Sequence, residues 1–179
     1  MEKEMGIFLL LATVGFVTVT AFGQGDSANL SGVRAYLKID ERLSTSGQIK
    51  LEEIGAIKDA GFDVVVNLAP ADEDRNQLEG YHVVKQGMTY VHIPVSWENP
   101  RLEDLRMFFD VMDANRSRKV YVHCFANMRV SVFVFLYRTL RQHVPEDEAL
   151  ADLRKIWNPD EQPQWATLMS EARREFSRE

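Results

Sequence analysis

One cysteine, Cys124, stands in 179 residues. No intramolecular disulfide can form, so the chain is not a disulfide-stapled small domain. Basic residues are also in deficit: 21 Lys and Arg against 27 Asp and Glu give a net charge of −6 and a pI near 5.3. That balance excludes nucleic acid as the main partner, but leaves room for a local basic pocket that takes a small anion. Histidine is sparse, and His82, His92 and His143 show no metal-ligand spacing with one another or with Cys124. Neither a metal nor another cofactor is expected. Internal repeats and low-complexity segments are missing too. The apolar and aromatic fractions, 45% and 10%, are those of an ordinary globular protein with a proper core.

The longest uncharged run lies at the start. "MGIFLLLATVGFVTVTAF", residues 5–22, reads as a secretory h-region, with Ala21 and Gly23 as small residues before a cut near Gln24. Its length also suits an uncleaved membrane anchor, and Glu2 and Glu4 offset Lys3 in the segment before it. A buried N-terminal helix is the third alternative. The expected organisation is a signal peptide or anchor over 1–23 and a single domain over 24–179. Either leading reading places that domain in the periplasm or outside the cell, touching a membrane only through the anchor.

From about Tyr36 onward, strand and helix signals alternate. "RAYLKID" is a weak first strand. "STSGQIKLEEIGAIKDAGF" carries Leu51, Ile54 and Ile57 at helical spacing, with Gly61 as a stop. "DVVVNLA" and "TYVHIPV" read as strands, the first buried. A polar loop and short helix lie between them. "NPRLEDLRMFFDVMDAN" predicts a helix capped by Asn99, with Pro100 in its first turn and Leu102, Leu105, Phe109 and Met112 along one face. "KVYVHC" is a strand. "VSVFVFLYRTLRQH" is apolar nearly all round and predicts a buried helix. Two amphipathic helices, "PEDEALADLRKIW" and "PQWATLMSEARREF", follow. The pattern implies an α/β three-layer sandwich: a central, mostly parallel sheet flanked by helices.

In such a sheet, ligands bind beyond the C-terminal strand ends, and Cys124 stands at that position. The segment His123-Cys124-Phe125-Ala126-Asn127-Met128-Arg129 leads from strand to helix. A helix N-terminus offers free N–H groups and a positive dipole end to an anion. A cysteine held there becomes nucleophilic near neutral pH. Arg129 supplies a planar fork matched to a tetrahedral oxyanion. The loop contains no glycine, and Asn127 is the residue best able to adopt a left-handed turn. The plain alternative is a buried structural thiol beside a surface arginine.

"VHCFANMR" resembles the signature loop of cysteine-dependent protein tyrosine and dual-specificity phosphatases, in a variant with four rather than five residues between Cys124 and Arg129. From "STSGQI" to "KIWNPDEQPQW" the chain is similar to bacterial dual-specificity-phosphatase-like proteins. The resemblance implies that Cys124 attacks phosphorus, that Arg129 holds the equatorial oxygens, and that a carboxylic acid protonates the leaving group. Glu98 in "SWENP" is the first candidate acid and Asp104 the second. Phe125, Ala126, Asn127, Met128 and Ser131 would line the substrate, with His123 orienting the loop. Val130 follows Arg129 where the family places Ser or Thr, so Ser131 is displaced by one. Asp72, Glu73 and Asp74 could line the rim or supply the acid, but read first as an exposed turn. Trp97 would flank the site, whereas Trp157 and Trp165 read as packing residues and Arg138 and Arg141 as surface or salt-bridge residues. The implied partner is a phosphorylated substrate, protein or small molecule. Because loops of this length are typical of rhodanese-like proteins, a sulfurtransferase working through a Cys124 persulfide stays open. So does a non-catalytic oxyanion-binding pseudophosphatase.

Overall fold

The computed structural model describes Met1 and residues 30–176. The expected signal peptide or anchor lies outside the described residues. Among the described residues, no helix is long and apolar enough to cross a membrane.

Among the described residues, five strands form one sheet: β1 (Leu37–Lys38), β2 (Leu43–Ser46), β3 (Val64–Asn67), β4 (Thr89–His92) and β5 (Val120–His123), in the order β1-β2-β5-β3-β4. The pair β1–β2 is antiparallel; β2–β5, β5–β3 and β3–β4 are parallel. Among the described residues, six α-helices cover it: α1 (Ile54–Asp59), α2 (Glu79–Lys85), α3 (Leu102–Ala114), α4 (Met128–Leu140), α5 (Glu146–Arg154) and α6 (Pro163–Phe176). The expected three-layer α/β sandwich is the observed fold.

Strand residues alternate between the two faces, and the core divides accordingly. Val64, Val66, Val120, Val122 and Cys124 point into the larger core, made with α3, α4, α5 and α6. Val65 and Tyr121 point into a smaller one, with Ile54 and Ile57 of α1 and Val83 of α2. The α4 helix is the axis of the larger core: every residue from Arg129 to Arg138 is buried. Its all-round apolarity follows from its position between the sheet and the α3, α5 and α6 layer.

Three local expectations need correction. "LSTS" is not the lead-in to a helix but β2, fully buried between β1 and β5. Burial of its hydroxyls is offset by hydrogen bonds: Ser46 Oγ donates to the Gly47 carbonyl (2.8 Å), and Ser44 Oγ pairs with the Tyr36 hydroxyl (3.2 Å). The helix that follows is short, with a 3₁₀ turn at Leu51–Glu53, and Leu51 is exposed rather than in the core. Gly61 does end α1, at a φ of +85° that favours glycine. The α3 helix starts after Arg101, two residues beyond the expected Asn99 cap. Asn99 instead donates its N–H to Ser96 Oγ (3.2 Å), and Arg101 pairs with Asp104 at 2.6 Å.

Trp97, Trp157 and Trp165 form a cluster with centroid distances of 5.2–6.2 Å at the base of α4. Trp165 is fully buried and also meets the Phe133 ring. Trp165→Ala should lower unfolding free energy by about 3–5 kcal/mol in urea titration. A loss under about 1 kcal/mol would show that the cluster is not part of the cooperative core.

Candidate active site

The Cys124 side chain is buried at the C-terminal end of β5, and its N–H donates to the Ser46 carbonyl at 3.3 Å. The loop after it is held from one side by the β2 end. Gln48 N–H donates to the Phe125 carbonyl (3.2 Å), and Gly47 and Ala126 form an isolated antiparallel bridge. A Cβ on Gly47 would lie 3.1 Å from the Phe125 carbonyl oxygen, so this contact is close-fitting.

Asn127 turns the chain into α4 with φ +63° and ψ −1°, the left-handed conformation expected of it. Its amide donates to the Ala35 carbonyl (2.8 Å) and to Thr45 Oγ1 (3.0 Å). The amide thus fixes the turn that the absent glycine would have left free. The next helical bond runs from Ser131 N–H to the Asn127 carbonyl at 2.9 Å. The N–H groups of Met128, Arg129 and Val130 precede it in the first turn and have no acceptor four residues back within the helix. Cys124 therefore lies just ahead of a helix N-terminus.

Arg129 is 9% exposed. Its Nε donates to the Val95 carbonyl at 2.9 Å, which aims the guanidinium under the Trp97 ring (5.4 Å) and beside Phe125 (5.9 Å). Burial pulls its pKa below the ordinary arginine value, against the opposing charge and hydrogen bond of Cys124 and the charge of Glu98. The guanidinium and the Cys124 sulfur are thus close enough to interact electrostatically.

Among the candidate acids, Glu98 is exposed on the loop after β4, with Ser96 Oγ 3.4 Å from Oε2. Its charge acts on Arg129. Asp104 is only 5% exposed, and both its oxygens are taken by Arg101 (2.6 and 3.2 Å). It serves the start of α3. Asp72 is a turn organiser: its Oδ1 accepts from the N–H groups of Asp74 and Arg75, and its Oδ2 pairs with Arg75 Nε at 3.1 Å. That turn brings Arg75, which the sequence reading did not single out, to 4.2 Å from the Phe125 ring. Ser131 Oγ donates to the Met128 carbonyl (2.9 Å) and accepts from Trp157 Nε1 (3.1 Å). Its hydroxyl braces the first turn of α4. Among the described residues, no group of side chains could hold a metal ion.

His123 leaves the strand on the opposite face to Cys124. Its Nε2 lies 2.9 Å from Glu79 Oε1. Glu79, missed by the sequence reading, is 1% exposed, and its carboxylate also accepts from Asn67 Nδ2 (3.0 Å), the Tyr90 hydroxyl (2.9 Å) and Gln48 Nε2 (2.7 Å). Burial would raise its pKa, but the hydrogen bond and charge of His123, with the Tyr90 and Gln48 bonds, outweigh it and hold the carboxyl below its ordinary range. The signal for this cluster was weak, because Glu79 sits in "NQLEGYHVV", where a polar loop and short helix give no hint of burial.

Over residues 20–170 the chain matches the family described as DSP-PTPase phosphatase fused to NAD+ kinase. It belongs to that family of dual-specificity-type phosphatases. A candidate phosphatase (DUF442) from Shewanella putrefaciens CN-32 is 37% identical, with a TM-score of 0.75 over 82% of this chain and 96% of that one. PTPMT1 in complex with PI(5)P superposes with a TM-score of 0.67 at 17% identity, over 80% and 97% of the two chains. TpbA from P. aeruginosa in complex with pTyr gives 0.62 at 13% identity, over 80% and 91%. At those last identities the likeness is one of fold. No curated protein matches the chain.

Two measurements test this geometry. Asn127→Ala should cost about 1–2 kcal/mol in backbone strain alone, with the amide's two hydrogen bonds lost in addition. Asn127→Gly should remove the strain and keep only the hydrogen-bond loss, so it should unfold at higher urea than Asn127→Ala. Glu79 has a lowered pKa in the folded state, so its stabilisation is complete above the unfolded value of about 4.5 and is lost as pH falls below it. The stability gap between the native chain and Glu79→Gln should therefore narrow on acidification from pH 5 to about pH 3, in urea titrations at each pH.

Proposed function

We propose that this family member hydrolyses phosphate monoesters through a Cys124 phosphocysteine. The observation that carries the reading is the placement of the buried Arg129 guanidinium, held by the Val95 carbonyl and electrostatically coupled to Cys124, at the start of α4. In the first step the Cys124 thiolate attacks phosphorus and the bond to the leaving oxygen breaks. Glu98 gives that oxygen its proton. Arg129 and the first-turn N–H groups of α4 take up charge on the three equatorial oxygens as the metaphosphate-like transition state forms. In the second step water attacks phosphorus, the S–P bond breaks and Glu98 accepts the water's proton. The thiolate and inorganic phosphate are released.

Phe125, Ala126, Asn127 and Met128 form the loop that would surround the phosphoryl group. Phe125 and Trp97 give it an aromatic border, which suits a phosphoester on an aryl or extended organic group. The fold likeness to TpbA bound to pTyr and to PTPMT1 bound to PI(5)P supports a phosphorylated substrate of that breadth. Neither step calls for a metal or organic cofactor. The uncharged run at residues 5–22 supports a periplasmic or secreted placement, with membrane attachment if it is retained.

Aryl-phosphate hydrolysis by residues 24–179 is the test. Cys124→Ser should abolish turnover, and Arg129→Ala should lower kcat/KM by at least about 10³-fold. Vanadate should inhibit competitively. Glu98→Gln should slow turnover roughly 10²-fold for poor leaving groups and far less for nitrophenolate, which needs no proton. Thiosulfate and cyanide assayed in parallel check the short loop's other chemistry. Sulfur transfer without phosphate release would replace this reading with the sulfurtransferase one.

A further inference from the structure

We infer that Glu79 is a positioning residue for the nucleophile loop: its carboxylate tethers the residues on both sides of Cys124. One tether is direct, from Oε1 to His123 Nε2 at 2.9 Å. The other passes through Gln48, whose side chain donates to Glu79 Oε2 (2.7 Å) while its backbone N–H donates to the Phe125 carbonyl (3.2 Å). Residues 123 and 125 are thus fixed from one carboxylate buried beneath the site. The inference rests on the phosphatase reading only in taking Cys124 as the nucleophile.

A carboxylate this deeply buried is costly, and apolar packing would fill the same space more favourably. Its four donors come from distinct parts of the fold: the loop after β2, the end of β3, β4 and the end of β5. Three of these frame the C-terminal edge of the sheet. Gly80 permits the approach, since a Cβ there would lie 2.8 Å from the Tyr90 ring. Asn67, besides donating to Glu79, accepts the Ala69 N–H at 2.7 Å, and the Leu68 N–H donates to the His123 carbonyl at 2.8 Å. The loops on either side of the nucleophile therefore share one anchor.

The tether also sets the tautomer. An ionised carboxylate only accepts, so a His123 proton must sit on Nε2. Nδ1 of the same ring is buried with no hydrogen-bond partner, so the bond to Glu79 is what orients the ring.

Iodoacetamide alkylation of Cys124 at one fixed pH tests this without any turnover. Glu79→Gln keeps the shape, removes the charge and sets an amide donor against Gln48 Nε2. Alkylation of the buried thiol should speed up about 10-fold as the loosened loop opens more often, and kcat for aryl phosphate should fall roughly 10- to 100-fold with a smaller change in KM. Glu79→Asp keeps the charge and should lie nearer the native rate than Glu79→Gln. An unchanged alkylation rate in a folded Glu79→Gln variant overturns the inference, as does a Gln variant closer to native than the Asp variant. Should Glu79→Gln fail to fold, ¹⁵N resonances of His123 in the native chain decide: a proton is expected on Nε2, and a ring protonated on Nδ1 alone refutes the tether. A faster alkylation in Glu79→Gln of a protein with no phosphatase turnover would sink the proposed function and leave the tether standing.

Discussion

β5 is hydrogen-bonded on both sides, and the site depends on that pairing. Its parallel register with β2 and β3 sets Ser46, His123 and Asn67 level across three strands. Because neighbouring residues point to opposite faces, the same register sends Cys124 toward α4 and His123 toward α2. The chain then has one residue at which to leave the sheet and three more in which to turn into α4. Everything at the site is built on those few residues and on what braces them.

The bracing is mostly polar and mostly hidden. Asn127 holds a left-handed turn with hydrogen bonds to Ala35 and Thr45. Ser131 and Trp157 lock the first turn of α4, and the Val95 carbonyl aims Arg129. On the other face, the Glu79 carboxylate gathers donors from four segments. A loop one residue shorter than the common phosphatase pattern, and without glycine, has little freedom of its own. Its conformation is imposed by neighbours, and that suits a site that must present donors to an oxyanion without reorganising.

Charge is arranged in layers around the sulfur. Arg129 is coupled to it electrostatically, and Arg75 stands 4.2 Å from the Phe125 ring. Glu79 sits under His123, and the exposed Glu98 is a carboxylate whose charge bears on the guanidinium. The net charge of −6 gives no hint of where these two arginines stand. A small anionic target needs only a local field, because focusing within a buried site counts for more than the global balance.

The α/β class, the valine-rich central strands, the buried α4 helix and the placement of Cys124 and Arg129 on either side of the turn into it were legible in the sequence. Each rests on local periodicity or on residues a few positions apart, which backbone geometry alone brings together. β2 was not legible, because Ser and Thr are buried there only through pairing with distant strands. The Asn99 cap failed because Asn99 is drawn into the preceding loop by Ser96 Oγ, and the helix begins only after Arg101. Glu79 is 44 residues from His123, and Arg75 is 50 positions before Phe125. No spacing rule connects such pairs. Only the crossover that lays α2 against the ends of β3, β4 and β5 brings them together, since a buried carboxylate can persist only where several chain segments supply its donors at once.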